Sequence, residues 1–210
     1  MKILKLTESK HVKERYYIEL EGGEIIKVDL NLIARYSLFS GRELTEQELE
    51  SLRDDSRRAM AKAKALKIMG SRNMSRKEIT DRLLRKGESS DVADSTAQWL
   101  EDVGAVNDSE YAAMIVRHYS KMGYGAGRVK NELYKRGIPR ELWQEALEEL
   151  PDMQESAYEV LLRRLGGSAD RTKLKKASDA LVRRGFSWEE VRSAVTRYRD
   201  EHELETEEYD

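Results

Sequence analysis

Leu83-Leu84-Arg85-Lys86-Gly87, Leu133-Tyr134-Lys135-Arg136-Gly137 and Leu181-Val182-Arg183-Arg184-Gly185 are three versions of one five-residue pattern. From Gly87 to Gly137 is 50 residues and from Gly137 to Gly185 is 48. A period of that length marks a stacked helical array, whose units bury their apolar faces against one another because none can do so alone. In each copy the leucine lies on an apolar stripe, the basic pair falls in the last helical turn, and the glycine ends the helix in the left-handed conformation. The pattern predicts a mainly α fold: tandem three-helix repeats in a curved array.

Outward from the three copies, the repeats span about 50–106, 107–151 and 152–200 of a helical domain covering 41–210. In the first, Ser75-Arg76-Lys77-Glu78 is a capping box ahead of Ile79 and Leu83, and Val92, Thr96, Trp99, Leu100 and Val103 make a further helix. In the second, Ala112, Ile115 and Tyr119 precede the loop Gly123-Tyr124-Gly125-Ala126-Gly127, Val129 and Leu133 follow it, and Pro139 opens a helix carrying Leu142, Ala146 and Leu147. The third runs through Ala157, Leu161, Leu165, then Leu174, Ala177, Leu181, then Phe186, Trp188, Val191, Val195. In front of the repeats, Thr45-Glu46-Gln47-Glu48 caps a long helix, or two in succession, to about Met69, with the stripe Ala59, Ala63, Leu66, Met69. Residues 1–40 are different: 2–6, 16–20 and 24–30 read as a small β-meander with a turn at Glu21-Gly22-Gly23-Glu24, leaning on a helix over 30–36.

Charged residues are 37% of the 210 and aromatics 7%, the make-up of solvated helices. Without cysteine there is no disulfide or thiolate metal site, and without an 18-residue apolar run no membrane span. The first residues alternate apolar with charged and lack a signal peptide's apolar core, so a cytoplasmic protein is expected. His11, His118 and His202 are scattered, and no nucleophile–base–orienter trio can be assembled. Neither an enzyme nor a cofactor is expected.

Net charge is −2, unevenly spread. Over 117–140 the basic Arg117, Lys121, Arg128, Lys130, Lys135, Arg136 and Arg140 face Glu132 alone. Over 163–184 the bases include Arg171, Lys175, Arg183 and Arg184 against Asp170 and Asp179, while acid collects in Glu145, Glu148, Glu149 and a tail over 201–210. Such segregation points to a side that faces a polyanion or an acidic protein, against the plain alternative of solvated helix faces. A last-turn cation complements the helix dipole, worth roughly 0.3–1 kcal/mol. Three doublets, each joined by bases earlier on its helix, exceed that need. Arg128 and Lys135 are expected off the Val129/Leu133 stripe, with their field largely uncancelled. The glycine loop lacks the Gly-Lys-Ser/Thr ending and preceding strand of a nucleotide site and reads as a tight helix connector. Tyr124, beside Lys121 and Arg128, is a candidate for base stacking or a partner pocket. Trp99, Trp143 and Trp188, one per repeat, read as core anchors.

Ser75-x-x-Glu78-Ile79-x-x-x-Leu83-x-x-Lys86-Gly87, then Leu100-Glu101-Asp102-Val103-Gly104-Ala105-Val106-Asn107-Asp108-x-x-Tyr111-Ala112, then Gly123-Tyr124-Gly125 and Leu133-x-x-Arg136-Gly137-Ile138, resembles the RecX regulatory proteins, bacterial modulators of the RecA recombinase. The resemblance is best over about 71–150, looser over 51–70 and the third repeat, and does not reach the first 40 residues. Glu88 stands where the family usually has an aromatic. The resemblance implies a non-catalytic monomer that binds the RecA filament, inhibits its growth, ATP hydrolysis and strand exchange, and binds single- or double-stranded DNA more weakly, in homologous recombination, DNA repair and the SOS response. It implies contacts at Arg85, Lys86, Arg117, Arg128, Lys135 and Arg136, and more loosely at Arg183 and Arg184. A stand-alone DNA-binding repeat protein and a helical scaffold for some other protein are the competing readings.

Overall fold

Alternating apolar residues at the front of the chain build an antiparallel sheet of β1 (Ile3–Glu8), β2 (Arg15–Leu20) and β3 (Ile25–Asp29), in that order. Its register sets Ile18 against Leu6 on one side and Ile26 on the other, so that Ile3, Ile18, Leu20, Ile26 and Val28 share the buried face. The structure is a computed structural model describing residues 1–70, 72–166 and 170–202; the acidic stretch 203–210 lies outside the described residues. Asp29 accepts a 2.8 Å hydrogen bond from the Leu32 N–H and starts α1 (Leu30–Arg35). Thr45 and Glu48 form the expected capping box at 3.1 and 2.9 Å, opening α2 (Glu46–Met69) as one continuous helix.

The buried line of α2 is Leu49, Leu52, Ser56, Ala61 and Ala65, not the Ala59, Ala63, Leu66, Met69 stripe, and Leu66 is 50% exposed. The helix changes partner along its length. Leu49 and Leu52 join the core of the sheet, and Ser56 donates to the Lys27 carbonyl of β3. The later turns meet α4 (Ser90–Asp102), which follows α3 (Arg76–Arg85). These elements form one compact unit, residues 1–73 and 78–106.

The second unit takes in residues 74–77 and the described residues from Asn107 onward. It contains α5 (Asp108–Lys121), α6 (Ala126–Lys135), a 3-10 turn (Arg140–Leu142), α7 (Trp143–Leu147), α8 (Met153–Leu165), α9 (Arg171–Arg183) and α10 (Trp188–Glu201). The chain is thus mostly helical with a small N-terminal sheet. Helix α7 is short because Pro151 disfavours helical backbone at Leu150. Two cores lie side by side in the sequence, one of α5, α6 and α7 and one of α8, α9 and α10.

Leu83, Leu133 and Leu181 are all fully buried. Past each, the glycine sits at positive φ and the next N–H returns to the leucine carbonyl, from Glu88, Ile138 and Phe186 at 3.1, 3.1 and 3.2 Å. Core position and helix stop are therefore one hydrogen-bonded device. The tryptophans part company: Trp143 is half-buried and donates to the Ile138 carbonyl at 3.0 Å, Trp99 lies half-buried under Lys62, and Trp188 is 72% exposed. As the first residue of α10, Trp188 points away from the core that Phe186 fills. No helix among the described residues is long and apolar enough to cross a membrane.

Candidate polyanion-binding surfaces

The glycine loop between α5 and α6 is a backbone joint. Gly125 N–H donates to the Arg184 carbonyl at 3.0 Å and Gly127 N–H to the Gly185 carbonyl at 2.9 Å. A Cβ on Gly125 would stand 2.5 Å from main-chain atoms of Gly185 and Phe186, and one on Gly185 would land on the Arg128 backbone. The glycines serve close approach, and their N–H groups are spent on carbonyls, not offered to a phosphate. An equivalent contact begins α3: the Ser75 hydroxyl donates to the Arg136 carbonyl, Asp108 accepts from Arg76 N–H at 2.9 Å, and a Cβ on Gly137 would strike the Lys77 side chain.

This joint employs several of the expected contact residues. Arg184 donates to the Met122 and Gly123 carbonyls, both at 3.0 Å, satisfying the end of α5. Its guanidinium lies 5.2 Å from the Tyr124 ring centroid, and that of Arg128 lies 5.8 Å from it. Tyr124 is therefore half-buried between arginines, a position that competes with base stacking. Arg136 donates to the Tyr111 hydroxyl at 2.8 Å. Glu132, the one acid of the 117–140 stretch, is buried, with Arg128 at 3.0 Å, Lys135 at 3.6 Å and Arg136 at 3.9 Å. Arg128 and Lys135 do lie off the stripe, yet their charge is partly answered. Arg117 is held by Glu149 at 2.8 and 3.0 Å.

The exposed remainder in this unit is Lys121 and Lys130, with Lys135 half turned to Glu132, and farther along Arg171, Lys175 and Arg183. Arg171 and Lys175 line an open groove between α9 and α10 together with Arg199, which sequence reasoning did not single out. The end of α10 is fixed differently: Arg197 is clasped by Glu155 at 2.7 Å and Glu201 at 2.9 Å, and Glu201 also accepts from the Tyr158 hydroxyl. That hydroxyl bond, then Arg197, hold the Glu201 carboxyl below its ordinary range, while the same bond raises the Tyr158 hydroxyl.

In the first unit Arg85 and Lys86 are exposed and share a groove of about 860 Å³ with Lys64, Lys67, Ile68 and Arg82. Lys64 and Lys67 lie off the stripe read for α2, and their meeting with α3 is a tertiary fact with no local signal. Glu88, which stands where the resemblance leads one to expect an aromatic, is half-buried and ion-paired with Lys64 of α2.

The chain matches the family model described as RecX, first three-helix domain, over residues 61–100, and that described as RecX, second three-helix domain, over 107–147. Among curated relatives, a regulatory protein RecX of Listeria monocytogenes is 27% identical over 210 residues, 97% of this chain and 78% of the relative. Another, of Xanthomonas axonopodis pv. citri, is 36% identical over 135 residues, 63% of this chain and 83% of the relative. A crystal structure of a regulatory protein RecX superposes with a TM-score of 0.70 at 23% identity, over 97% of this chain and 99% of that one. RecX from Lactobacillus salivarius gives 0.62 at 24% identity, over 72% and 99%. At these identities the structural likeness shows the fold. With 97% of the chain aligned, the N-terminal sheet region that the motif pattern did not reach has counterparts in the Listeria protein and the first of these structures.

Proposed function

We propose, since this chain belongs to the RecX family of regulatory proteins, that it binds the RecA nucleoprotein filament and inhibits its recombinase and ATPase activity, with no catalysis of its own. The observation that carries this reading is the pair of matched three-helix domains, whose second helices both end in exposed cations, Arg85 on α3 with Lys86 just past it, and Lys135 on α6. Exposed cations on rigid helix ends speed and orient docking on an acidic protein surface, and their pull weakens as salt rises. In this reading the protein acts as a cytoplasmic monomer without cofactor. A second reading, direct binding of single- or double-stranded DNA, has one specific observation in its favour, the cation-lined groove between α2 and α3.

The test is a titration of ATP hydrolysis on preformed RecA filaments. Lys121 and Lys130 are the residues to reverse, because both are exposed and outside the Glu132 cluster. Lys121→Glu with Lys130→Glu should weaken inhibition at least about tenfold, the effect of losing roughly 1.4 kcal/mol of binding. Equal inhibition by both proteins would move the contact to Arg171, Lys175 and Arg183, and no inhibition by the parent would end the proposal.

A further inference from the structure

The apolar stripe that runs along α2 from Ala59 through Ala63 to Leu66 is left open by its own unit: Ala59 is half-buried, and Ala63 and Leu66 are exposed. These residues floor a groove of about 660 Å³, lined also by Asn31, Leu32 and Arg35 of α1 and by Trp99 of α4. An adjoining hollow of about 350 Å³ shares Asp29, Asn31, Ala59 and Ala63 with it and extends the apolar surface to Met60, Leu30 and Val12. From Ala59 to Leu66 the floor runs about 10 Å, two turns of helix. Apolar surface of this kind, rimmed by charge, marks a place where something docks.

The rim is basic and largely unanswered. Arg58, Lys62 and Lys13 have no ion-pair partner among the described residues, and the Lys62 ammonium lies 4.6 Å from the Trp99 ring centroid. Of the acids, Asp29 caps α1, and Asp55 is held by Arg35 and the Tyr36 hydroxyl, both at 2.8 Å, which leaves Glu14 in the smaller hollow. From Ser56 to Lys67 the helix carries Arg57, Arg58, Lys62, Lys64 and Lys67 and no acid, so pairing with α2 of a second copy would set cation against cation. A phosphate backbone would gain nothing from the apolar floor, and the cation over Trp99 competes with a stacked base. Small side chains at Ala59 and Ala63 let another helix lie close, while Leu66 and Trp99 give its apolar face a hold. We propose that this groove docks an amphipathic helix of a partner protein, apolar on its buried face and acidic along both flanks. None of the cations on which the filament reading rests lines the groove, so the interface is a separate one.

The experiment measures fluorescence anisotropy of a labelled peptide titrated with the full-length protein. The probe is about 20 residues, long enough to be helical in water, with leucines at i, i+3, i+4 and i+7 and glutamates on the flanks. A peptide of the same composition with its leucines spread around the helix, and one with lysine in place of glutamate, should each bind at least about tenfold more weakly. Ala63→Glu with Leu66→Glu should weaken the acidic probe by a similar factor while keeping the parent's helical dichroism and urea midpoint. Arg58→Glu with Lys62→Glu should turn the preference round to the lysine peptide, a gain that misfolding does not produce. Both variants should inhibit RecA ATP hydrolysis as the parent does. A parent that binds none of the peptides, or binds the spread-leucine peptide as well as the probe, overturns the proposal. So does self-association of the parent that Ala63→Glu with Leu66→Glu abolishes, which would make a second copy the occupant. Loss of RecA inhibition in the folded variants overturns it too, by making the groove part of the filament contact. A parent that binds the acidic probe without inhibiting RecA sustains this proposal and ends the filament reading.

Discussion

Gly87 and Gly185 occupy the same place in the same five-residue pattern, at φ of +85° and +90°, and each ends its helix with the same return of an N–H to the core leucine. Their surroundings differ. A side chain on Gly87 would meet nothing within 4 Å, whereas on Gly185 it would collide with the main chain of Arg128 at the start of α6. Gly137 falls between, crowded by the side chain of Lys77. One sequence signal thus carries two physical demands. Every copy needs the left-handed turn; only those that seat the start of an earlier helix also need an absent side chain.

The core leucines should not share this gradient, and they set the largest effect. Leu83→Ala, Leu133→Ala and Leu181→Ala should each cost about 2–5 kcal/mol in urea unfolding, and a silent Leu133→Ala would break the equivalence of the three positions. Gly185→Ala combines left-handed strain with backbone overlap and should cost about 2–4 kcal/mol. Gly137→Ala, opposed by a lysine that can partly swing aside, should cost about 1–3 kcal/mol. Gly87→Ala carries the left-handed cost alone, about 1–2 kcal/mol. A Gly87 variant as damaged as the Gly185 one would refute the contrast.

The smallest effect is in pH. Glu201 is held below its ordinary value of 4.5, so its contribution is present above that pH and is lost as acid carries the protein through the lowered value. Tyr158 is raised above 10, so its contribution is present below pH 10 and lost in stronger base. Near-ultraviolet dichroism of the tyrosines should follow both edges. Hydrogen exchange at Gly125 should stay steady across the acid edge after correction for intrinsic rates, because its joint uses neutral main-chain groups.

The features legible in the sequence were those written locally. The Thr45 capping box, the glycine stops, the meander and the leucine positions depend on neighbours within a few residues, and Thr45, Gly137 and Leu181 are found as read. Features set by a distant partner were not legible. The inward face of α2 turns because its partner changes from β3 to α4, which no periodicity in Ala59, Ala63 and Leu66 could report. The basic doublets looked like surplus charge, yet Arg136 and Arg184 reach Tyr111, Met122 and Gly123 along paths invisible in one dimension. Lys64 and Lys67 lie off the stripe read for α2, and nothing near them in the chain announces that α3 brings Arg82 alongside.

The joint at Gly125 and Gly127 leaves an isotopic signature. Most helical amide protons are released to solvent when their own helix frays or the whole fold opens. The two protons on Gly125 and Gly127 are instead held by carbonyls almost 60 residues further along the chain, so they exchange when one three-helix set lifts from the next, even if both stay folded. Deuterium uptake at these two glycines, compared with uptake inside α6 and α9, therefore clocks how often neighbouring sets separate, a hinge motion that no loss of helix would betray.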